Sequence, residues 1–237
     1  MGSLTKINLC DANLLIAQTN VSFELLFETK NGITDSTYIG IDKQQTKYIL
    51  KIYEHSTTKE VQSELNTLKN LQTKVPSVLS KEIFYYENKP AVLFSFIHGK
   101  IAQDINKKQI LEITNFLSDI HQSNIKPKVK NIYSKKCFED MLGNTVNTTD
   151  MFKSRYEFIK EIDLTEDSFI HGDLFPDNAK FINNKLSGVY DFGQSCFGNA
   201  LFDLSVMIIS WCFKGELLTA VLPKDYNVVR IYISPID

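Results

Sequence analysis

The stretch from Ser168 to Asp203, SFIHGDLFPDNAKFINNKLSGVYDFGQSCFGNALFD, constrains this chain more than any other. It gathers His171, Asp173, Asp177, Asn178, Asp191 and Asp203 in one short window. Between them lie apolar positions (Phe169 and Ile170; Phe181 and Ile182; Leu186 and Val189) that read as strands. Acids at strand ends predict a site. Taken singly, each Asp or Asn serves equally well as a turn or helix-capping residue; it is the ordered set that carries chemistry. Asn178 follows Asp173 by five positions, and Asp191-Phe192-Gly193 comes one hairpin later.

That spacing resembles the protein kinases, in which a catalytic-loop Asp accepts the substrate hydroxyl proton, an Asn five residues later holds Mg²⁺, and the Asp of a D-F-G triplet holds Mg²⁺ again. The loop opens with HGD instead of HRD, and Asp203-Leu204-Ser205 lies downstream. Both features are similar to the aminoglycoside and choline kinase superfamily, which shares the protein-kinase fold but phosphorylates small molecules. Within it, HGDLFPDN, LSGVYDF and FDLSVMIISWCF in that order resemble bacterial homoserine kinases of the kinase-like type. The resemblance implies an α+β, bilobal protein-kinase-like fold. Residues 1–97 would form an N-terminal lobe, an antiparallel nucleotide-binding sheet with one helix; residues 98–237 would form a mainly helical lobe for catalysis and acceptor binding. It also implies ATP and Mg²⁺ as cofactors and a small alcohol as acceptor. L-homoserine comes first; an aminoglycoside, choline or hydroxylysine is the alternative.

Composition narrows the partners. Net charge is −2 with acids and bases interspersed, so nothing marks a surface for nucleic acid or anionic membrane. An apolar fraction of 43% in 237 residues supports a sizeable core. The four cysteines, Cys10, Cys137, Cys196 and Cys212, form no CxxC pair, which argues against zinc and against a secreted disulfide framework. The N-terminus carries no export or myristoylation signal, and the apolar run Leu204 to Phe213 is about half of a membrane span. A cytoplasmic protein is expected.

Along the chain, Leu14, Leu15 and Ile16 suggest a short helix over the first sheet. VSFELLFET, STYIGI and TKYILKIYE then read as a three-stranded meander, with Asn31-Gly32 in the first turn. Lys51 lies in the third strand, flanked by Leu50 and Ile52, where it faces the opposite side from both. Helix 59–72 puts Val61, Leu65, Leu68 and Gln72 on one stripe and Glu60 and Glu64 on another. A hairpin turning at Glu87-Asn88 leads into the apolar strand Ala91 to Ile97, and helix 107–123 carries Ile110, Ile113, Leu117 and Ile120 with His121 beside them. Residues 124–165 read as short helices and loops around an acceptor pocket. A closing helix, Ala200 to Phe213, puts Leu201, Leu204, Ile208 and Trp211 on a core face.

The family pattern assigns roles to these positions. Asp173 would orient and deprotonate the acceptor hydroxyl, and Asn178 and Asp191 would hold Mg²⁺ through hard oxygen donors. Lys51 would neutralise phosphates, held by Glu64 in preference to Glu60, while Phe192 packs beneath Asp191. Ser36 and Thr37 would offer hydroxyls to phosphate from a turn whose single glycine, Gly32, gives it a weak Gly-rich character. Backbone groups of Phe94 to Ile97, with Phe96 between them, would take the adenine edge. Asp203 would brace the catalytic loop, and His121 has no catalytic role. One departure concerns Lys51, where many homoserine kinases of this type carry Thr; it supports the ATP site and weakens the homoserine assignment. Two other classes fit parts of the pattern: a metal-dependent phosphoesterase built from His171, Asp173, Asp177 and Asp191, and a nucleotide-binding regulator without turnover. Finally, the resembling kinases continue through further helices beyond SWCF, whereas Pro223 and a β-branched tail follow here. The chain therefore reads as truncated, with an apolar patch expected around Leu204, Ile208 and Trp211, and with self-association and weak turnover as its consequences.

Overall fold

The computed structural model describes residues 4–29, 34–143 and 150–212. The Asn31-Gly32 turn and the segment after Cys212, including the tail that reads as truncated, lie outside the described residues. Five strands, β1 (Phe23–Glu28), β2 (Ser36–Asp42), β3 (Lys47–Ile52), β4 (Phe84–Tyr86) and β5 (Lys89–Ser95), form one sheet in the order β1-β2-β3-β5-β4. Every neighbouring pair is antiparallel. The tight β4–β5 connection puts both Glu87 (φ 49°) and Asn88 (φ 64°) in the left-handed region, as a two-residue hairpin turn requires.

Strand alternation sorts the sheet into two faces. Tyr38, Leu50, Ile52 and Leu93 point back into a core shared with Ala12 and Ile16 of α1 (Leu9–Leu15) and its flank, so the short helix does cover the first sheet. Val92 and Phe94 point forward, where α2 (Thr58–Asn70) lays Val61, Leu65 and Leu68 against them. A capping box between Thr57 and Glu60 starts α2; the helix stops at Asn70, before Gln72, which is exposed and no part of the apolar stripe.

The forward core continues without a break into the second lobe. There α3 (Lys107–His121) contributes Ile110, Ile113 and Leu117, and α4 (Lys135–Gly143) and α5 (Asp150–Glu161) follow. Strand β6 (Ser168–Ile170) pairs with β9 (Cys196–Gly198), β7 (Ala179–Ile182) pairs with β8 (Lys185–Val189), and α6 (Ala200–Trp211) closes the order. Phe169 and Ile170 mark β6 in the sequence, but its partner β9 has no signal there, because a three-residue strand is too short for alternation to show. Between the lobes, Gly99 (φ +115°) crosses so near β7 that a Cβ would sit 2.6 Å from the Phe181 carbonyl oxygen. Lys100 and Phe181 then exchange backbone hydrogen bonds of 3.0 and 2.9 Å. No helix among the described residues is long and apolar enough to cross a membrane.

Of the three residues expected to form an apolar patch on α6, Leu204 and Trp211 are buried and Ile208 is half-buried. Leu204 and Trp211 are each 1% exposed. The indole packs edge-on to Phe181 at 5.9 Å and donates Nε1–H to the Leu174 carbonyl at 2.8 Å, so this face is filled by the segment that follows β6. Ile209, on the other side of the helix, is the exposed apolar residue. Trp211→Ala should therefore lower the unfolding free energy by about 3–5 kcal/mol, the usual cost of emptying a buried aromatic site. Urea denaturation followed by far-UV circular dichroism measures it, and a loss below about 1 kcal/mol would mean that α6 does not anchor the lobe.

Candidate active site

The loop that follows β6 is held from below by one carboxylate. Asp203, fully buried in the first turn of α6, accepts the backbone N–H of His171 and that of Gly172, each at 2.8 Å, and its Oδ2 lies 3.0 Å from His121 Nε2. Burial alone would raise its pKa, but these donors, His121 first among them, hold it below the usual carboxylate range. Gly172 has φ +83°, and a Cβ there would meet the Tyr133 ring at 2.6 Å. This explains why the loop opens with HGD: only glycine fits the second position.

His171 is set in one tautomer. Its Nδ1 accepts the Asp173 N–H at 3.2 Å, so the proton resides on Nε2, which faces the Tyr190 carbonyl at 3.3 Å. Burial pushes its pKa below 6.5 despite Asp203. With both ring nitrogens engaged and no solvent exposure, His171 cannot serve as the metal ligand that a phosphoesterase would need.

From that platform Asp173 projects into the cleft beside Asn178, whose Nδ2 donates to the Asp173 carbonyl at 2.8 Å and to its Oδ2 at 3.1 Å. Burial, then repulsion from Asp191, raises the Asp173 pKa above its ordinary value, with the Asn178 bond opposing. The Tyr190 N–H donates to the Asn178 carbonyl at 3.0 Å, which brings Asp191 alongside the loop. Asp191 itself adopts φ 67°, an uncommon backbone state for any residue but glycine and one that recurs at functional sites. Phe192 is buried with its ring 4.6 Å from His171, beneath Asp191.

Across the cleft stands Lys51. Its ammonium lies 3.2 Å from Asp191 Oδ1 and 3.1 Å from Asp35 Oδ2, with the Tyr53 ring 4.6 Å away. Glu64 is buried next to it, while Glu60 is spent on the α2 cap. Burial disfavours the Lys51 charge, yet Glu64, then Tyr53, Asp191 and Asp35, outweigh it and hold the pKa well above the lysine range. Lys51 in turn keeps Asp191 below its ordinary value. Among the described residues, one cation among three carboxylates leaves this corner negative, and so receptive to a further cation.

The oxygen donors left over fit Mg²⁺. Lys51 engages Asp191 Oδ1, leaving Oδ2; Asn178 spends its amide nitrogen on Asp173, leaving Oδ1. A carboxylate and an amide oxygen are hard ligands, and Mg²⁺ takes only one or two protein ligands when phosphate and water complete its shell. Among the described residues no three His, Cys, Asp or Glu side chains converge on a metal position.

The remaining expected residues divide. Thr37 pairs across the sheet with Lys51 and is half-buried on the same face, together with Ile39 and Ile49, which form an apolar roof. Ser36 lies on the other face: it is fully buried, donates to Glu54 and accepts the Thr5 N–H at 2.8 Å, so its hydroxyl is not offered to a ligand. Adjacent strand residues point to opposite sides, and one of the two had to face away. Phe94 is buried at the rear of the cleft, Phe96 is half-buried with its ring between Lys47 and Lys180, and the Ile97 carbonyl accepts from Lys180 Nζ at 3.1 Å. Asp35 meets Lys51, and Lys180 meets the Ile97 carbonyl, without any signal in the sequence. A separate cavity of about 1070 Å³ opens behind α2, lined by Gln62, Asn66, Asp119 and Lys126 among others, and none of the residues above reaches it.

The neutral state of His171 makes stability pH-dependent. The unfolded chain takes up its proton near pH 6.5 and the folded chain only below that. Above pH 6.5 the contribution is complete; as pH falls from there the unfolded state binds more protons and stability declines. Denaturation at intervals from pH 7.5 down to about pH 5 should show this decline, and His171→Gln should flatten it. An equal slope in both proteins would rule out a buried neutral His171.

Residues 29–222 match the family described as the phosphotransferase enzyme family (APH). A homoserine kinase from Zymomonas mobilis is 28% identical over 207 residues, covering 78% of this chain and 64% of the relative. Against the next homoserine kinase, from Rhodospirillum rubrum, the chain spans 46% of the relative's length. Macrolide 2'-phosphotransferase MphH from Brachybacterium faecium superposes with a TM-score of 0.63 at 12% identity, over 85% of this chain and 77% of that one. Amicoumacin kinase hAmiN, in complex with AMP-PNP, Ca²⁺ and Ami, does so with a TM-score of 0.63 at 17% identity, over 84% and 67%. At such identities the solved structures speak for the fold, which is protein-kinase-like. The family match extends from the end of β1 through α6, taking in the whole braced loop, and the chain belongs to the phosphotransferase enzyme family.

Proposed function

We propose that this chain transfers the γ-phosphoryl group of ATP, with Mg²⁺, to the hydroxyl of a small molecule, and that L-homoserine is the acceptor. The observation that carries the proposal is the convergence of Asp173, Asn178, Asp191 and Lys51, from both lobes, on one cleft. Residues 1–97 would supply the nucleotide-binding part and residues 98–237 the catalytic and acceptor-binding part. The nucleotide would lie under Ile39 and Ile49, its base against the Phe94 to Ile97 backbone and its phosphates toward Lys51 and Thr37. Glu64 would keep Lys51 in place once phosphate displaces Asp35.

Phosphoryl transfer leaves a protein mainly positioning and charge neutralisation to supply. Asp173 would orient the acceptor hydroxyl; as its oxygen bonds to phosphorus and the bond to the ADP oxygen breaks, the hydroxyl proton passes to the Asp173 carboxylate. Mg²⁺ held by Asp191 and Asn178 would neutralise charge on the phosphate oxygens. Homoserine as acceptor rests on the relatives and on the LFPDN and SWCF matches. Lys51 leaves another small alcohol as the second reading. A cytoplasmic setting agrees with four cysteines that are free thiols.

An ADP-release assay with Mg²⁺-ATP and homoserine, hydroxylysine, choline or kanamycin tests both levels. Homoserine should be preferred, and Asp173→Asn should lose at least about 10²-fold in kcat, the usual worth of a positioned acid or base, with ATP affinity nearly unchanged. Preference for another acceptor would overturn the homoserine assignment alone. More than about a tenth of the activity remaining in Asp173→Asn would overturn its role, and no turnover with any acceptor would favour the regulator.

A further inference from the structure

Lys180 is a strand lysine placed where a strand lysine is not needed. It lies in β7, two positions after Asn178, and is half-buried between the lobes. Its ammonium sits 3.1 Å from the Ile97 carbonyl oxygen, 4.3 Å over the Phe96 ring and 5.6 Å over the Tyr190 ring. Lys47, from the sheet above, approaches the same Phe96 ring at 5.5 Å. Among the described residues neither ammonium has a carboxylate partner. An ammonium withdrawn from water without an anion is costly, and such a cost is kept where a ligand recovers it. An ammonium carries three N–H donors and no acceptor. The Ile97 carbonyl takes one, which leaves donors at the segment proposed to hold the base.

We propose that Lys180 sets nucleobase preference, letting the site accept a 6-oxopurine triphosphate as well as ATP. This rests on the nucleotide reading above. Adenine presents an amino donor at its 6-position, whereas guanine and hypoxanthine present a carbonyl acceptor there. Facing the carbonyl, the ammonium donates to it in a charge-assisted hydrogen bond. Facing the amino group, it retreats to the Ile97 carbonyl and stays satisfied, so adenine is tolerated too.

Titration calorimetry with Mg²⁺ and either ATP or ITP, which share all but the 6-position and the N1 proton, gives the test. The wild-type protein should bind ITP within about tenfold of ATP. Lys180→Met keeps the aliphatic stem and removes the donors; it should weaken ITP by about tenfold or more while leaving ATP within about threefold, as expected for loss of one charged hydrogen bond. Lys180→Arg should recover ITP binding. An ITP-to-ATP ratio that is the same in Lys180→Met and wild type overturns this inference while the nucleotide reading stands. Failure of the wild type to bind either nucleotide overturns both.

Discussion

A single buried carboxylate orders the chemistry of this molecule. Asp203 is removed from water, which would cost several kcal/mol for an unpaired anion, and it is satisfied by two backbone N–H groups of the loop after β6 and by His121. Those donors cannot leave without stranding the charge. The loop is therefore fixed in the one shape that supplies them, and with it His171 and Asp173. The first turn of α6 is a favourable place for the anion because the helix dipole is positive there. The same helix ties its far end to the loop through Trp211 and the Leu174 carbonyl. Core packing, brace and loop are parts of one arrangement.

The opposing side of the cleft works by imbalance. Among the described residues Lys51 alone faces Asp35, Glu64 and Asp191, and burial pushes Glu64 up against the pull of the lysine. The corner would repel a bare triphosphate and welcome one that brings a divalent cation. The ion pair to Asp35 keeps the buried ammonium satisfied, and under the proposed function phosphate would take the place of Asp35 there. The Tyr53 hydroxyl, buried beside Glu64, belongs to the same polar corner.

Much of this was legible beforehand, for definable reasons. Two-residue alternation announced β2 and β3, helical spacing announced α2 and α3, and the interval from Asp173 to Asn178 announced a loop whose length is set by its geometry. The position of Lys51 followed from strand phase. The same phase could have excluded Ser36, because Tyr38, Leu50 and Ile52 mark its face as the back of the sheet. Other features had no local signature. Asp35 meets Lys51 only because β2 and β3 pair in one register, and Lys180 is half-buried only because Ile97, 83 positions earlier, returns to cover it. The burial of Trp211 likewise comes from Leu174 and Phe181, which no reading of α6 by itself would reveal.

The central claim is that Asp191, Asn178 and Lys51 form one site for a metal-bound nucleotide. Its most direct test is a crystal structure of the protein with Mg²⁺ and a non-hydrolysable ATP analogue. The account predicts one metal ion bonded to Asp191 and Asn178 and to phosphate oxygens, at about 2.0–2.1 Å, with Lys51 moved from Asp35 to the phosphates. A nucleotide bound elsewhere, or a metal held without Asp191, would contradict it.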